Sequence, residues 1–274
     1  MQSWLWSVYI SEAVYALGNN MLVRRAVVIP DQHAPIHDRK AVSCALKIIE
    51  EVKPCTFINL GDCGEWESVS SHKYKKRKQP PLEFILPEID KEAKGVNKMI
   101  DEFDAVLDSV GCKERHILAG NHDEWCDDFV FNYHPYLPEY TFRNLCRWDE
   151  RGYKYRKYNE VLTIGKLSFI HGAYCGPTHS KMHLERYGCS LIYGHTHDLQ
   201  RFSMTRMQDG GIGSWSLGCL KDMRAEKNKW LRGRLHNWNH AVGIVDWWKN
   251  GNFTVQVVEI VNGKAVVNGK ELVG

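Results

Sequence analysis

The chain has 274 residues, of which 43% are hydrophobic and 25% charged, and its formal net charge is +3. This composition is typical of soluble globular proteins and excludes collagen-like, coiled-coil and wholly disordered chains. The small net charge indicates neither a nucleic-acid nor a membrane partner by itself. The 9 cysteines include no C-x-x-C pair, which favours reduced thiols in a cytoplasm over a disulfide framework or a zinc ribbon. No apolar run reaches the ~18 residues of a membrane-spanning helix, so we expect no membrane partner.

A strand-loop-helix unit is the first unit that we take from the sequence. The β-branched run at residues 26–29 predicts a buried strand that stops at Pro30. Asp38 stands at the N-cap position of a helical apolar spacing that ends near Val52. Residues 56–60 predict a second buried strand, which again runs into a polar loop. The unit is therefore repeated.

A third unit follows a polar insertion. The insertion covers about residues 68–81 and is basic, and after it an amphipathic helix runs to Gly111. A strand at 116–119 leads directly into the polar residues 120–123. Polar loops thus follow three successive strands at their carboxyl ends, where open α/β sheets collect functional side chains.

The second half of the chain predicts shorter strands. They fall at residues 161–164, 167–170, 191–193, 211–217, 241–247, 252–260 and 264–268. Asn262-Gly263 predicts a tight turn before the last of them. No internal repeat or low-complexity linker divides the sequence. We therefore expect one α/β domain with mixed sheets at residues 23–274, preceded by an extension of unknown role at residues 1–22.

Side chains of the types that commonly bind metal ions follow the predicted strands. They are Asp31, His33, Asp62, Asn121, His122, Asp123, His171, His195 and His197. Carboxylate, imidazole and amide groups at neighbouring strand ends would converge in one cleft. Nitrogen and oxygen ligands without thiolate suit manganese, iron, zinc or cobalt better than calcium. The pattern predicts a metal centre in which two ions are plausible.

Five short blocks in a fixed order carry a family resemblance. They are Asp31-Gln32-His33, Gly61-Asp62, Gly120-Asn121-His122-Asp123, His171-Gly172 and Gly194-His195-Thr196-His197. In this order they resemble the calcineurin-like metallophosphoesterase family over about residues 24–200, and within it the small phage and bacterial members. One such block is weak evidence, whereas five ordered blocks that each follow an apolar strand are specific. The resemblance implies a sandwich of two mixed β-sheets flanked by helices.

The resemblance also implies a role for each matched position. The implied metal ligands form two sets with one bridging carboxylate: Asp31, His33 and His197; Asn121, His171 and His195; and Asp62 between them. His122 would contact the phosphoryl oxygen or protonate the leaving oxygen, and Asp123 would orient and charge the His122 imidazole. The implied cofactors are two divalent ions, manganese first, with iron, zinc, cobalt or nickel as alternatives. A hydroxide shared by the ions would attack the phosphorus.

The blocks also depart from the usual family pattern. The second block is usually G-D-x-x-D, whereas here Glu65 replaces its last Asp, which leaves the local hydrogen bonding open but not the bridging role of Asp62. The third block ends in Asp123 rather than Glu, and no Arg follows the second block. Both features separate the chain from protein serine/threonine phosphatases. They favour the branch that holds repair nucleases, cyclic-nucleotide phosphodiesterases and small phage phosphoesterases.

Two basic segments bear on the substrate. They lie at residues 73–78 and 221–234, and both could contact a polyanion or be solvated surface loops. We expect a phosphodiesterase acting on a nucleotide, DNA or RNA in the cytoplasm of a bacterial or phage-infected cell. The alternatives are a phosphomonoesterase for small-molecule or protein phosphoesters, and a non-catalytic metal-binding scaffold.

Overall fold

The computed structural model describes residues 24–207 and 210–274, so the predicted extension at residues 1–22 lies outside the described residues. The strands are β1 (Arg24–Ile29), β2 (Thr56–Asn59), β3 (Glu114–Leu118), β4 (Lys154–Arg156), β5 (Leu162–Ile164), β6 (Leu167–Phe169), β7 (Leu191–Tyr193), β8 (Arg201–Arg206), β9 (Gly210–Ser216), β10 (Ala241–Trp247), β11 (Phe253–Glu259), β12 (Lys264–Val267) and β13 (Lys270–Val273). The α-helices are α1 (Arg39–Val52), α2 (Ser71–Tyr74), α3 (Leu82–Ser109), α4 (Asn121–Asp128), α5 (Phe142–Leu145) and α6 (His179–Tyr187).

The strands form two large mixed sheets and one small hairpin. The first sheet has the order β11-β10-β1-β2-β3-β4, with β1 to β4 parallel and β10 antiparallel to both of its neighbours. The second has the order β5-β6-β7-β9-β8, in which the edge strands β5 and β8 are antiparallel to their neighbours. β12 and β13 pair with each other. The predicted α/β sandwich of two mixed sheets flanked by helices is confirmed.

Both faces of the first sheet are covered, as strand β1 shows. Val27 and Ile29 belong to the core beneath α1 and α3, whereas Ala26 and Val28 belong to the core between the two sheets. The alternation follows from the two-residue period of a strand. It explains why this strand reads as a continuous apolar run rather than as an alternating one.

Helix α1 begins where its N-cap was predicted. Oδ1 of Asp38 accepts hydrogen bonds from the backbone N–H groups of Lys40 at 2.8 Å and Ala41 at 3.0 Å. The buried side chains of α1 form one stripe that includes Ile48 and Ile49 and faces the sheet. No described helix is long and apolar enough to cross a membrane. All nine cysteines lie among the described residues and are free thiols.

Six strands and helices were not predicted. They are β4, β8, β13, α2, α5 and α6. In β8 exposed residues alternate with half-buried ones, so its sequence shows little apolar periodicity. The predicted basic loop after β2 contains a 3-10 turn at Glu67–Val69 and the short helix α2.

Candidate metal centre

The predicted ligands follow strand ends that face the same edge of the two sheets. Asp31 comes two residues after β1, and Asp62 comes three residues after β2. His171 and His195 follow β6 and β7, which are parallel neighbours in the second sheet. Backbone hydrogen bonds join the loops, from His33 N–H to Asp62 O at 2.8 Å and from Gly194 N–H to His171 O at 2.7 Å. The parallel topology therefore collects these side chains in one place.

One group of ligand atoms comes from Asp31, His33, Asp62 and His197, all of which are buried. Nε2 of His33 lies 3.0 Å from Nε2 of His197, and Nε2 of His197 lies 3.7 Å from Oδ1 of Asp31. Oδ2 of Asp62 lies 3.6 Å from Nε2 of His33. Two imidazole nitrogens about 3 Å apart can be adjacent ligands of one ion, because metal–nitrogen bonds are about 2.0–2.1 Å long.

A second group comes from Asp62, His171 and His195. Nε2 of His171 lies 3.4 Å from Oδ2 of Asp62 and 3.1 Å from Oδ1 of Asn121. Nδ1–H of His171 donates to the carbonyl oxygen of Leu60 at 2.9 Å, which leaves Nε2 as the nitrogen directed at the carboxylate. Asp62 thus belongs to both groups, and its Oδ2 approaches an imidazole in each of them. The donor atoms suit divalent metal ions, and Asp62 is the residue that the two groups have in common.

The backbone at these ligands is strained. Five of them have a positive φ, between 31° and 70°: Asp31, His33, Asp62, His195 and His197. Non-glycine residues rarely adopt this region, and such conformations cluster at functional sites where the surrounding fold holds them. The strain is offset by the hydrogen bonds and packing of the two sheets, so the ligands are set in place by the fold.

The glycines of the sequence blocks make room for two carboxylates. A Cβ atom on Gly120 would overlap Oδ1 of Asp62, and a Cβ atom on Gly194 would overlap Oδ2 of Asp31. Oδ1 and Oδ2 of Asp31 each lie 2.9 Å from the donating N–H of His195. The glycines are therefore needed at these positions because the acidic ligands occupy the space that a side chain would fill.

Glu65 supports the first group of ligands. Its Oε2 lies 2.8 Å from Nδ1 of His33 and 2.8 Å from Nζ of Lys221. A carboxylate on the far nitrogen of an imidazole fixes the tautomer in which Nε2 is free to bind a metal. The longer Glu side chain in the second block thus places a carboxylate oxygen directly behind the His33 ring. Lys221 was not singled out from the sequence; it is only 2% exposed.

The charges around His33 favour its metal-binding form. Burial and the nearby Lys221 ammonium lower the pKa of His33 to about 4. Burial opposes ionisation of Glu65, but His33 and Lys221 together lower its pKa to about 2. At neutral pH this region therefore holds a neutral imidazole, a carboxylate and an ammonium ion. On the other side of the centre, burial is outweighed by Asp62, which raises the pKa of His171 to about 10. Metal binding there would release a proton.

His122 lies at the start of α4, beside the bridging carboxylate. Its backbone N–H donates to Oδ1 of Asp62 at 2.9 Å, and its Nδ1–H donates to the carbonyl oxygen of Glu65 at 2.9 Å. The ring packs on Trp125 with centroids 4.0 Å apart. These contacts fix the imidazole and leave Nε2 as the nitrogen for a substrate.

The expected contact between Asp123 and the His122 imidazole is not formed, so the predicted orienting role of Asp123 is wrong. Oδ2 of Asp123 accepts from Gly120 N–H and its Oδ1 accepts from Trp66 Nε1–H, both at 2.9 Å. Residues adjacent in a helix point about 100° apart, so the two side chains leave α4 in different directions. Asp123 therefore fastens the start of α4, and the Glu65 carbonyl orients His122.

A cavity of about 760 Å³ opens over the centre. Asp62, Asn121, His122, His195 and His197 line it together with other groups. Those others include Cys175, Trp230 and Trp238. Sγ of Cys175 lies 3.1 Å from Nε2 of His195. A phosphoester in this cavity would lie against both groups of ligands.

Comparisons with known proteins give distant relatives. No protein-family model matches the chain. The Gene 54 protein of Mycobacterium phage D29 is 27% identical over 267 residues, which cover 90% of this chain and 97% of that protein. This relative bears out the predicted likeness to phage proteins.

Among solved structures, Vacuolar Protein Sorting 29 from Cryptosporidium parvum is 14% identical with a TM-score of 0.48, covering 93% of this chain and 100% of that one. Yfce, a phosphoesterase from E. coli, is also 14% identical, with a TM-score of 0.39 and coverage of 85% and 98%. At these values the likenesses assign no activity to the chain.

Proposed function

We propose that this chain is a two-metal phosphodiesterase that hydrolyses a nucleotide or nucleic-acid phosphodiester. The observation that carries the proposal is the position of Asp62, whose carboxylate belongs to both groups of ligand atoms. One set would be Asp31, His33 and His197, and the other Asn121, His171 and His195. Two divalent ions held in this way would supply an activated water and would neutralise the phosphoryl oxygens of an in-line displacement.

His122 would act on the leaving group. Its Nδ1–H is engaged by the Glu65 carbonyl, so a proton given to the leaving oxygen would come from Nε2. Asp62 would position His122 as well, because it accepts the backbone N–H of that residue. One carboxylate would therefore fix both the ions and the acid relative to each other.

The metal is proposed to be manganese, with iron, zinc, cobalt and nickel as alternatives. The donor set of imidazole nitrogens, carboxylates and one amide oxygen suits all of these ions. The nine free thiols support the proposal that the protein works in a reducing cytoplasm.

The test compares a phosphodiester with a phosphomonoester. Metal-stripped protein is reloaded with Mn²⁺ and assayed on bis-p-nitrophenyl phosphate and on p-nitrophenyl phosphate, with Asp62→Asn as the inactive control. We expect Mn²⁺-dependent cleavage that favours the diester and is lost in the variant. Preference for the monoester would replace the proposal with a phosphatase. Two bound ions without turnover of either compound would indicate a metal-binding scaffold.

A further inference from the structure

Three rings form an aromatic wall: Trp230 and Trp238, which line the cavity, and His236, which packs beside Trp238. The ring of Trp238 packs edge-on against the candidate ligand His197, with centroids 4.6 Å apart and planes at 72°. Trp230 and His236 lie 5.8 Å and 4.5 Å from Trp238, at interplanar angles of 40° and 35°. The aromatic wall thus begins at the metal centre and extends outward.

Hydrogen bonds fasten the aromatic wall to the loop that carries His197. The backbone N–H of Asn239 donates to the carbonyl oxygen of His197 at 2.9 Å, and Nδ2 of Asn237 donates to Oδ2 of Asp198 at 3.0 Å. Asp198 and Trp238 also pair as an antiparallel bridge. These bonds hold Trp238 at a fixed distance from the centre.

The outer part of the aromatic wall is exposed, and it belongs to a basic segment of the chain. Trp230 keeps 57% of its surface exposed while lining the cavity. The same segment carries four exposed basic side chains: Lys227, Lys229, Arg232 and Arg234. An exposed indole face in a basic segment suits a ligand that is both planar and anionic. A nucleobase joined to phosphates has both properties.

We propose that the aromatic wall stacks an unpaired nucleobase next to the scissile phosphodiester, with Trp230 as the outer stacking face. This inference rests on the proposed function, since it places the phosphodiester at the metal centre. Every base offers a π-face, so the aromatic wall would bind nucleobases with little sequence preference. A base inside a duplex already stacks on its neighbours, so the aromatic wall selects single-stranded nucleic acid.

The experiment compares two esters with the same leaving group. One is the p-nitrophenyl ester of thymidine 5′-phosphate and the other is p-nitrophenyl methyl phosphate, both assayed with the Mn²⁺-loaded enzyme. The readout is the ratio of their kcat/KM values. Trp230→Ala should lower this ratio roughly 5- to 100-fold, mainly through KM, as alanine substitutions of base-stacking aromatics do. Trp230→Phe should restore most of it.

The matched control is Trp248→Ala, because Trp248 is 39% exposed and does not line the cavity. This variant should keep the wild-type ratio. A wild-type ratio near one would contradict base stacking on the aromatic wall, and so would an equal loss of kcat/KM on both esters in Trp230→Ala. Neither result would contradict the proposed hydrolase activity.

A binding measurement separates this inference from the proposed function. The dinucleotide thymidylyl-thymidine is titrated in EDTA and followed by quenching of tryptophan fluorescence. Binding that weakens in Trp230→Ala and is unchanged in Trp248→Ala supports base stacking on the aromatic wall even if neither ester is hydrolysed. Equal affinity in all three proteins contradicts it. Tighter binding of the dT12·dA12 duplex than of single-stranded dT12 would contradict the selection for unpaired bases.

Discussion

Lys221 and Glu65 form an ion pair behind the metal centre, with Nζ 2.8 Å from Oε2 and side-chain exposures of 3% and 17%. The residues are 156 positions apart in the sequence. Because the same carboxylate oxygen lies 2.8 Å from Nδ1 of His33, the pair joins the C-terminal half of the chain to a candidate ligand. His240 extends the contact, since its Nε2–H donates to the carbonyl oxygen of Lys221 at 2.8 Å.

Breaking this pair should weaken metal binding without removing a ligand. In Lys221→Met the Glu65 carboxylate loses its cation. We expect the free energy of unfolding to fall by about 3 kcal/mol, as it does when one partner of a buried ion pair is removed. Mn²⁺ affinity should fall roughly 10- to 100-fold, because groups that orient ligands have effects of this size. Calorimetric titration with Mn²⁺ measures the affinity, and urea unfolding measures the stability.

The double variant Lys221→Met/Glu65→Gln separates the two effects. It removes both charges, so most of the stability should return, while the Mn²⁺ affinity stays low because His33 has lost its carboxylate. If affinity recovers together with stability, Glu65 has no role in orienting His33.

Filling the space beside the bridging carboxylate should destroy the centre. The Cβ atom of Gly120→Ala would overlap Oδ1 of Asp62, so we expect that carboxylate to move and the number of bound Mn²⁺ ions to fall below two. Metal analysis of the purified variant after dialysis gives the stoichiometry. Gly211→Ala is the matched control, because nothing lies within 4 Å of its added Cβ atom. A Gly120→Ala protein that keeps two ions would refute the bridging position of Asp62.

Removal of the His122 imidazole should affect the leaving group rather than the ions. We expect His122→Ala to bind Mn²⁺ normally and to lose about 10²- to 10⁴-fold in kcat, the usual contribution of a general acid. The loss should be larger for an alkyl leaving group than for p-nitrophenolate, which needs no proton. Rates on a series of diesters of rising leaving-group pKa give this dependence.

Asp123→Asn is the comparison variant for His122. Asp123 fastens the start of α4 and does not contact the imidazole, so its substitution should lower the melting temperature and leave the leaving-group dependence unchanged. A steeper dependence in Asp123→Asn would restore the role that the family resemblance implied.

Stability should fall on acidification, and His183 should account for part of that fall. Its Nδ1–H donates to His179 O, and its Nε2 accepts from the N–H of Ala173 at 3.0 Å, so the folded protein requires the neutral ring. Burial lowers the pKa of His183 to about 4, whereas an unfolded histidine titrates near 6.5. The unfolded chain therefore binds more protons between these values, and stability is lost as the pH falls from about 6.5 to about 4.

The corresponding measurement is urea unfolding of metal-free protein at pH 5 and pH 7. His33 and His195 also have a pKa lowered to about 4, so the wild-type protein should lose stability through several groups. His183→Gln removes one titrating group, and the difference between the two pH values should be smaller in this variant. An equal difference would show that His183 is not linked to folding.

The sequence indicated which side chains converge at the candidate centre, because each one follows an apolar strand in a short block. Parallel strands then bring those blocks to one sheet edge, which is why Asp31 and Asp62 meet although 31 positions separate them. The first β-α units were also predictable, since β1 and α1 have clear apolar periods and a good N-cap.

Lys221, Trp230 and Trp238 could not be assigned to the site from the sequence, for physical reasons. Lys221 lies in a basic segment that reads as a solvated surface, and only the packing of the folded chain buries it. Trp230 and Trp238 are two of ten tryptophans, and nothing local separates a core indole from one at a cavity. The Asp123 contact was wrong because adjacency in sequence does not bring side chains together on a helix.

The hydrogen bond from Asn239 to His197 links the aromatic wall to the loop that carries His197. If ions order that loop, they order Trp238 at the same time, and a ligand that stacks on the aromatic wall stabilises the loop in return. Linkage then requires that Mn²⁺ and a nucleotide tighten each other's binding by the same factor. The metal-free protein should therefore still bind a nucleotide, and Mn²⁺ should tighten that binding.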